Sequence, residues 1–247
     1  MYKIVTILLF HSLLLFASEP IVIPQSLLDE VDNGNAEIAY FIATRFNQRS
    51  YLEPESDNFQ KAQKWMKIAA EMKYPQAMYE FGEMLELEGK EQDALQWYKN
   101  AAEYGHSDAI EHIALYYILG MGGLDEDCQE AYRWYKRAES TENKLAYNDH
   151  AWSLATSADA ECRSPEKALR LISELMTLYR SESGSIPYAV LDTKAAVHAS
   201  ISDFNKAIEI QKHVMKLLGK DHSKYADFQL RLDSYLQRKV WRQKKEQ

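Results

Sequence analysis

The chain has 247 residues, 46 % of them hydrophobic and 27 % charged, which is enough apolar material for a sizeable core and too much for a disordered polypeptide. Only 9 glycines and 6 prolines interrupt it, a balance that favours helices over sheets. A formal net charge of −8 repels phosphate backbones and argues against a nucleic-acid partner.

At the N-terminus a single lysine, Lys3, precedes an apolar run of 13 residues from Ile4 to Phe16, followed by the small residues Ala17 and Ser18. The run is short of the roughly 20 residues that span a membrane and suits the core of a secretory signal. Residues 1–17 are therefore expected to be a signal peptide, and the mature chain to be exported to a bacterial periplasm or secreted, with no stable membrane span. An uncleaved anchor or a buried first helix is the rival reading of the same run. Export changes how Cys128 and Cys162 read, because a lone pair in an oxidising compartment tends to become a disulfide.

The rest of the chain reads as paired helices. First helices are expected near residues 36–48, 75–87, 107–120, 144–158 and 186–201. Pro75 suits a first turn, Ser107 or Asp108 an N-cap, and Gly105 the end of the preceding helix. Between them a stripe at i, i+3, i+4 and i+7 recurs: Ala62, Trp65, Met66, Ala69; then Ala94, Trp97, Tyr98, Ala101; then Ala131, Trp134, Tyr135, Ala138. Two weaker copies follow, Ala168, Leu171, Ile172, Leu175 and Ala207, Ile210, Gln211, Val214. The leading alanines are 32, 37, 37 and 39 residues apart, a period that means stacked helical hairpins. Trp65, Trp97 and Trp134 lie in the stripe and are expected in the core. Gly82, Ala114, Ala151 and Ala195 fall where the two helices of a hairpin must approach closely. A final helix near 222–240 has no partner after it and reads as a cap. The basic residues from Arg238 to Lys245 read as a solvated end or as a dock for an acidic partner or lipid surface. Trp241 lies outside any repeat and is free to be exposed.

The stretch IALYYILGMGGLDEDCQEAYRWYKRA resembles a Sel-one-like repeat (SLR), a relative of the tetratricopeptide repeat with a longer turn carrying G-x-G-G and an Asp before the second helix. Gly120, Gly122, Gly123, Asp127, Ala131, Trp134, Tyr135 and Ala138 carry the pattern, and residues 76–102 follow it more loosely because EGKEQDA shortens the turn. Residues 151–171 and 190–218 resemble a tetratricopeptide pair found at the C-terminal end of some bacterial proteins, and 231–242 its capping helix and tail. The resemblance implies an all-α, right-handed α-solenoid of about five hairpins with a C-terminal capping helix. Sel-one-like repeats would occupy 33–140 and the tetratricopeptide-like pair with its cap 141–242, as one continuous solenoid. It also implies a protein-interaction scaffold with no reaction and no cofactor. Projecting the tetratricopeptide pattern puts Gln76, Tyr79, Glu83 and Glu86 on the concave side, then Asp108, Glu111, Leu115 and Ile118, then Asn148 and Trp152, then Asp192 and Ala196. That face is acidic with some aromatic and apolar surface, and it suits a protein or peptide segment carrying basic and apolar residues. The same residues also read as merely solvated helix faces.

Three positions depart from the resembled pattern. His150, Lys194 and His198 stand where it has Leu, Leu and an aromatic. Either they converge on a polar pocket, with Asp149, Asp192 or an outside carboxylate as partner, or each reaches the surface along an apolar stem. Cys128 and Cys162 fall in the turns of consecutive repeats, where equivalent positions are on the order of 10 Å apart in a helix-pair stack. A disulfide needs Cα atoms within about 7 Å. Cys128 lies three residues before its alanine and Cys162 six before, an offset able to close the gap. Two free thiols is the other outcome. No H-E-x-x-H, G-x-S-x-G, Walker loop or C-x-x-C occurs, and the histidines lack metal-ligand spacing. The expected function is a non-enzymatic scaffold or adaptor of the cell envelope. The alternative is a small-ligand or envelope-polysaccharide binder using a pocket at His150, Lys194 and His198.

Overall fold

Alanine-led stripes separated by short breaks fold into helices. The computed structural model describes residues 20–182 and 184–242, and among them are twelve α-helices and no strand. They are α1 (Gln25–Asp32), α2 (Ala36–Leu52), α3 (Asn58–Glu71), α4 (Pro75–Leu87), α5 (Glu91–Glu103) and α6 (Ser107–Leu119). Then come α7 (Cys128–Glu139), α8 (Lys144–Thr156), α9 (Pro165–Glu182), α10 (Tyr188–Ser200), α11 (Phe204–Leu218) and α12 (Tyr225–Leu236). Ten of these are the expected hairpin helices and α12 is the expected cap. Helix α1 was not expected; it buries no residue, so no apolar stripe announces it. The signal-peptide expectation falls on residues outside those described.

Helix starts follow capping chemistry. Asn35, Asp127, Asn143 and Asp203 each accept a backbone N–H of the first turn through the side chain. The expected cap of α6, Ser107 or Asp108, is instead His106, whose Nδ1 accepts the Ala109 N–H at 3.3 Å. Gly105, at φ +83°, ends α5 in the left-handed region, and the His106 N–H closes back onto the Ala101 carbonyl at 3.0 Å.

The chain forms two compact units, one ending at Ala109 and one beginning at Ile110, a division inside α6. In the first unit each helix packs on the next, from α1 through α5. In the second, α7 packs on α8, the hairpins α8–α9 and α10–α11 are stacked, and α12 covers α11. The leading alanines Ala62, Ala94, Ala131, Ala168 and Ala207 have no exposed surface, because only a methyl group fits where neighbouring helices meet.

The tryptophans of the stripe sit less deep than expected. Met66, Tyr98 and Tyr135, one residue on, are fully buried, while Trp65, Trp97 and Trp134 are half-buried at the margin. An indole is too large for the narrow seam that the alanines create. Trp97 instead meets Phe81 edge-on at 5.3 Å, and the Arg137 guanidinium lies 5.3 Å from the Trp134 ring.

Gly82 marks a close approach of two helices. A Cβ there would lie 2.6 Å from the ring of Tyr98, which is itself buried and whose hydroxyl donates to Glu86 at 2.8 Å. Alanine gains about 1 kcal/mol over glycine in a helix, whereas overpacking costs about 1–3 kcal/mol. Here the ring cannot retreat, so Gly82→Ala is expected to lower the unfolding free energy by about 1–2 kcal/mol. A denaturant midpoint raised by the substitution would refute the close approach.

Candidate functional site

In the first unit the expected binding residues of α4 form a row of linked side chains. Because His106 Nδ1 accepts a backbone N–H, its Nε2 carries the proton and donates to Gln76 Oε1 at 2.8 Å. Gln76 Nε2 donates to Glu80 Oε1 at 2.8 Å, and the Tyr40 hydroxyl of α2 donates to the same carboxylate at 2.6 Å. Tyr79 stacks on His106 with ring centroids 4.7 Å apart and donates its hydroxyl to Glu83 at 3.0 Å. Burial, and then the hydrogen bond to Glu80, push the Tyr40 hydroxyl well above its ordinary value, so it stays a donor. Gln76, Tyr79, Glu80 and Glu83 are all partly exposed, and Asp108 is exposed at the start of α6. Sequence reading missed Tyr40, Glu80 and His106. Glu80 was legible as the residue one helical turn beyond Gln76, but Tyr40 comes from another helix and carries no local signal.

The second unit treats the expected face differently. Glu111 and Asp192 are not offered to solvent: they are 1 % and 5 % exposed. Glu111 accepts from His112 Nδ1 at 3.2 Å and lies against Asp149, and Asn148 donates to Asp149 at 2.9 Å. The reason is packing. Asp149 of α8 lies against Glu111, and Gln211 of α11 and Arg231 of α12 meet Asp192, so positions that face solvent in an ideal repeat are covered here. Loss of hydration, followed by the Glu111 charge, pushes the Asp149 carboxyl up to about 7.

That shift gives a pH dependence with a definite sign. Asp149 in the folded chain holds its proton up to about 7, whereas the ordinary value is 3.8. Between those values the folded state binds more protons, so stability falls as pH rises through this window and levels off above it. His150 runs the other way. Burial holds its ring below the ordinary 6.5 despite Glu139, so its charging in acid opposes folding. The difference between the wild-type chain and Asp149→Asn cancels the His150 contribution. On going from pH 8 to pH 5.5 the wild type is expected to gain about 2 kcal/mol relative to the variant. Parallel unfolding curves at both pH values would contradict the assignment.

His150, Lys194 and His198 do not form one pocket. His150 is fully buried in α8, bonded through Nδ1 to Glu139 and stacked on Tyr132 at 4.8 Å and Tyr135 at 5.2 Å. His198 pairs with Asp203 at 3.1 Å near the end of α10. Lys194 is half-buried beside Arg180, Lys206 and Glu209; burial, then the like charges of Arg180 and Lys206, lower its pKa against the opposite pull of Glu209. Glu139, one helix back, is the partner of His150 Nδ1, so neither Lys194 nor His198 supplies it.

Trp152 and Asp192 belong instead to a cluster with α12. Arg231 Nη1 lies 3.2 Å from Asp192 Oδ2, and Gln211 Nε2 donates to Asp192 Oδ1 at 2.9 Å and to the Phe228 carbonyl at 3.2 Å. The guanidinium lies 4.8–5.1 Å from the rings of Trp152, Phe228 and Trp241. Trp241, read from sequence as free to be exposed, is half-buried against the unit's hydrophobic core. Cys128 and Cys162 are joined, with Cα atoms 5.8 Å apart, and the Tyr132 hydroxyl donates to the Cys162 carbonyl. Among the described residues no group of three or more His, Cys, Asp and Glu is placed to hold a metal ion. No helix there is long and apolar enough to cross a membrane.

The Sel1 repeat protein from Oxalobacter formigenes superposes on 85 % of this chain and 91 % of its own length, with a TM-score of 0.60 and 18 % sequence identity. The fold is that of a Sel1 repeat protein. An SLR-fold protective antigen of uropathogenic Escherichia coli strains also aligns, with a TM-score of 0.42 and 18 % identity, over 87 % of this chain and 40 % of that one. No protein-family model and no curated protein matches the sequence. The Sel1 fold accounts for the hairpin period, the buried alanines and the glycine turn at 120–123; it does not by itself assign a partner.

Proposed function

We propose that this chain is a non-enzymatic interaction scaffold of the cell envelope, and that the α4 face of its first unit receives a partner segment carrying basic and apolar residues. The observation that carries this reading is the row Tyr40–Glu80–Gln76–His106–Tyr79–Glu83. Hydrogen bonds and stacking fix Tyr79 and its flanking carboxylates before any partner arrives, so little side-chain entropy remains to be lost on binding. Three carboxylates, Glu80, Glu83 and Glu86, attract a cation, and the Tyr79 ring gives it an aromatic face. Export is supported by the apolar run from Ile4 to Phe16 and by the disulfide, which persists in oxidising compartments.

The test is cross-linked capture from the cell envelope with the mature chain as bait, read by mass spectrometry, beside a Tyr79→Ala, Glu83→Gln bait. A partner retained by the first bait at low salt, weakened at high salt and lost with the second is the expected result. Identical captures with both baits would remove the α4 face from the function.

A further inference from the structure

Residues 238–242 lie in the second unit like a ligand in a site. Arg238 adopts a left-handed conformation, at φ +54°, and reverses the chain after α12. The Lys239 N–H then bonds the Ser234 carbonyl at 2.9 Å, and the Ser234 hydroxyl donates to the Lys239 carbonyl at 3.1 Å. This brings the Trp241 ring to 5.5 Å from Trp152, with both rings about 5 Å from the Arg231 guanidinium. One residue on, Arg242 Nη1 donates to the Ala155 carbonyl at 2.7 Å, across 87 residues of sequence.

Each contact answers a need of the surface beneath. The last carbonyls of a helix have no partner within it and carry partial negative charge. In α8 the Ser157 N–H takes the Ser153 carbonyl and the Ser164 N–H takes that of Leu154, so Ala155 is left for the arginine. Trp152, in turn, offers an aromatic face to the Arg231 guanidinium and to Trp241. The tail forms no helix, and Trp241 and Arg242 remain partly exposed. Arg163, which donates to the carbonyls of Ser157 and Ala158, sits close enough to repel Arg242.

We infer that the surface formed by Trp152, Arg231 and the Ala155 carbonyl is a second interaction site, and that residues 238–242 are its built-in occupant. The external partner it fits is a peptide segment of the same chemistry, an aromatic residue followed by arginine, which must displace the tail to bind. The inference stands apart from the α4 face and survives its failure.

The probe is a fluorescein-labelled synthetic peptide of residues 236–247, LQRKVWRQKKEQ, titrated by fluorescence anisotropy. The receptors are the full mature chain and its Trp241→Ala, Arg242→Ala variant. The variant should bind at least tenfold tighter than the wild type, whose own tail competes, and a peptide lacking the Trp and Arg should not bind. Arg242→Ala alone, which keeps the aromatic stack, should fall between the two and serves if the double variant loses its helical circular dichroism. A folded variant that ignores the peptide, or a wild type that binds it equally well, overturns the inference.

Discussion

Asp192→Ala is expected to remove about 3 kcal/mol of stability, the low end for a buried ion pair broken on one side. Asp192 is the hub of the second unit's polar cluster: it faces Arg231 at 3.2 Å and receives the Gln211 amide at 2.9 Å. Without the carboxylate, Arg231 keeps its three aromatic neighbours but loses its counter-charge, and the fully buried Gln211 loses an acceptor. The low end applies because the pair is not ideally solvated even when intact. Burial raises the Asp192 carboxyl above its ordinary value, outweighing the opposite pull of Arg231. Asp192→Asn should therefore cost less than the alanine change, since it retains an acceptor for Gln211. A double change to Asp192→Leu with Arg231→Met should recover most of the loss, as apolar replacements of buried pairs do. Urea unfolding of all four chains checks the series. A double variant as unstable as Asp192→Ala would mean that the loss is one of shape rather than of charge.

How much of this was legible beforehand follows from the range of each interaction. Helix positions were legible because Ala62, Trp65, Met66 and Ala69 and their copies report a local period, and Asp127 and Pro75 mark helix starts through chemistry within one turn. The buried alanines were legible for the same reason. What the period cannot convey is which neighbour covers a given face. Glu111, Asp192 and Trp152 share the repeat position of Tyr79 and Glu83, yet the first two are buried, and Trp152 is occupied by a tail 89 residues later in the chain. His150 read either as part of a polar pocket or as a side chain reaching the surface, because Glu139 sits on another helix and nothing near residue 150 announces it. Trp65, Trp97 and Trp134 were assigned to the right face but to the wrong depth, since a stripe fixes direction and not the width of the seam.

Reducing the Cys128–Cys162 bridge should cost about 3–4 kcal/mol, because a cross-link across 34 residues withdraws that much chain entropy from the unfolded state. The folded state loses little, since the two sulfurs tie ends that other contacts already position. Asp127 caps α7 beside Cys128, and the Tyr132 hydroxyl one turn on holds the Cys162 carbonyl. Helical content should thus survive reduction while the denaturant midpoint falls. The Cys128→Ser, Cys162→Ser chain should match the reduced wild type and be indifferent to reductant. Two free thiols in denatured, unreduced protein would show that the bridge does not form. The size of the effect bears on where the chain works. A domain of this size has total stability of about 5–15 kcal/mol, so a loss of 3–4 kcal/mol removes a large share of it. The second unit, which holds the bridge and the tail-covered surface, is then the part most weakened in a reducing compartment. If reduction leaves the midpoint unmoved, the bridge no longer speaks for an oxidising compartment, and export rests on the N-terminal run alone.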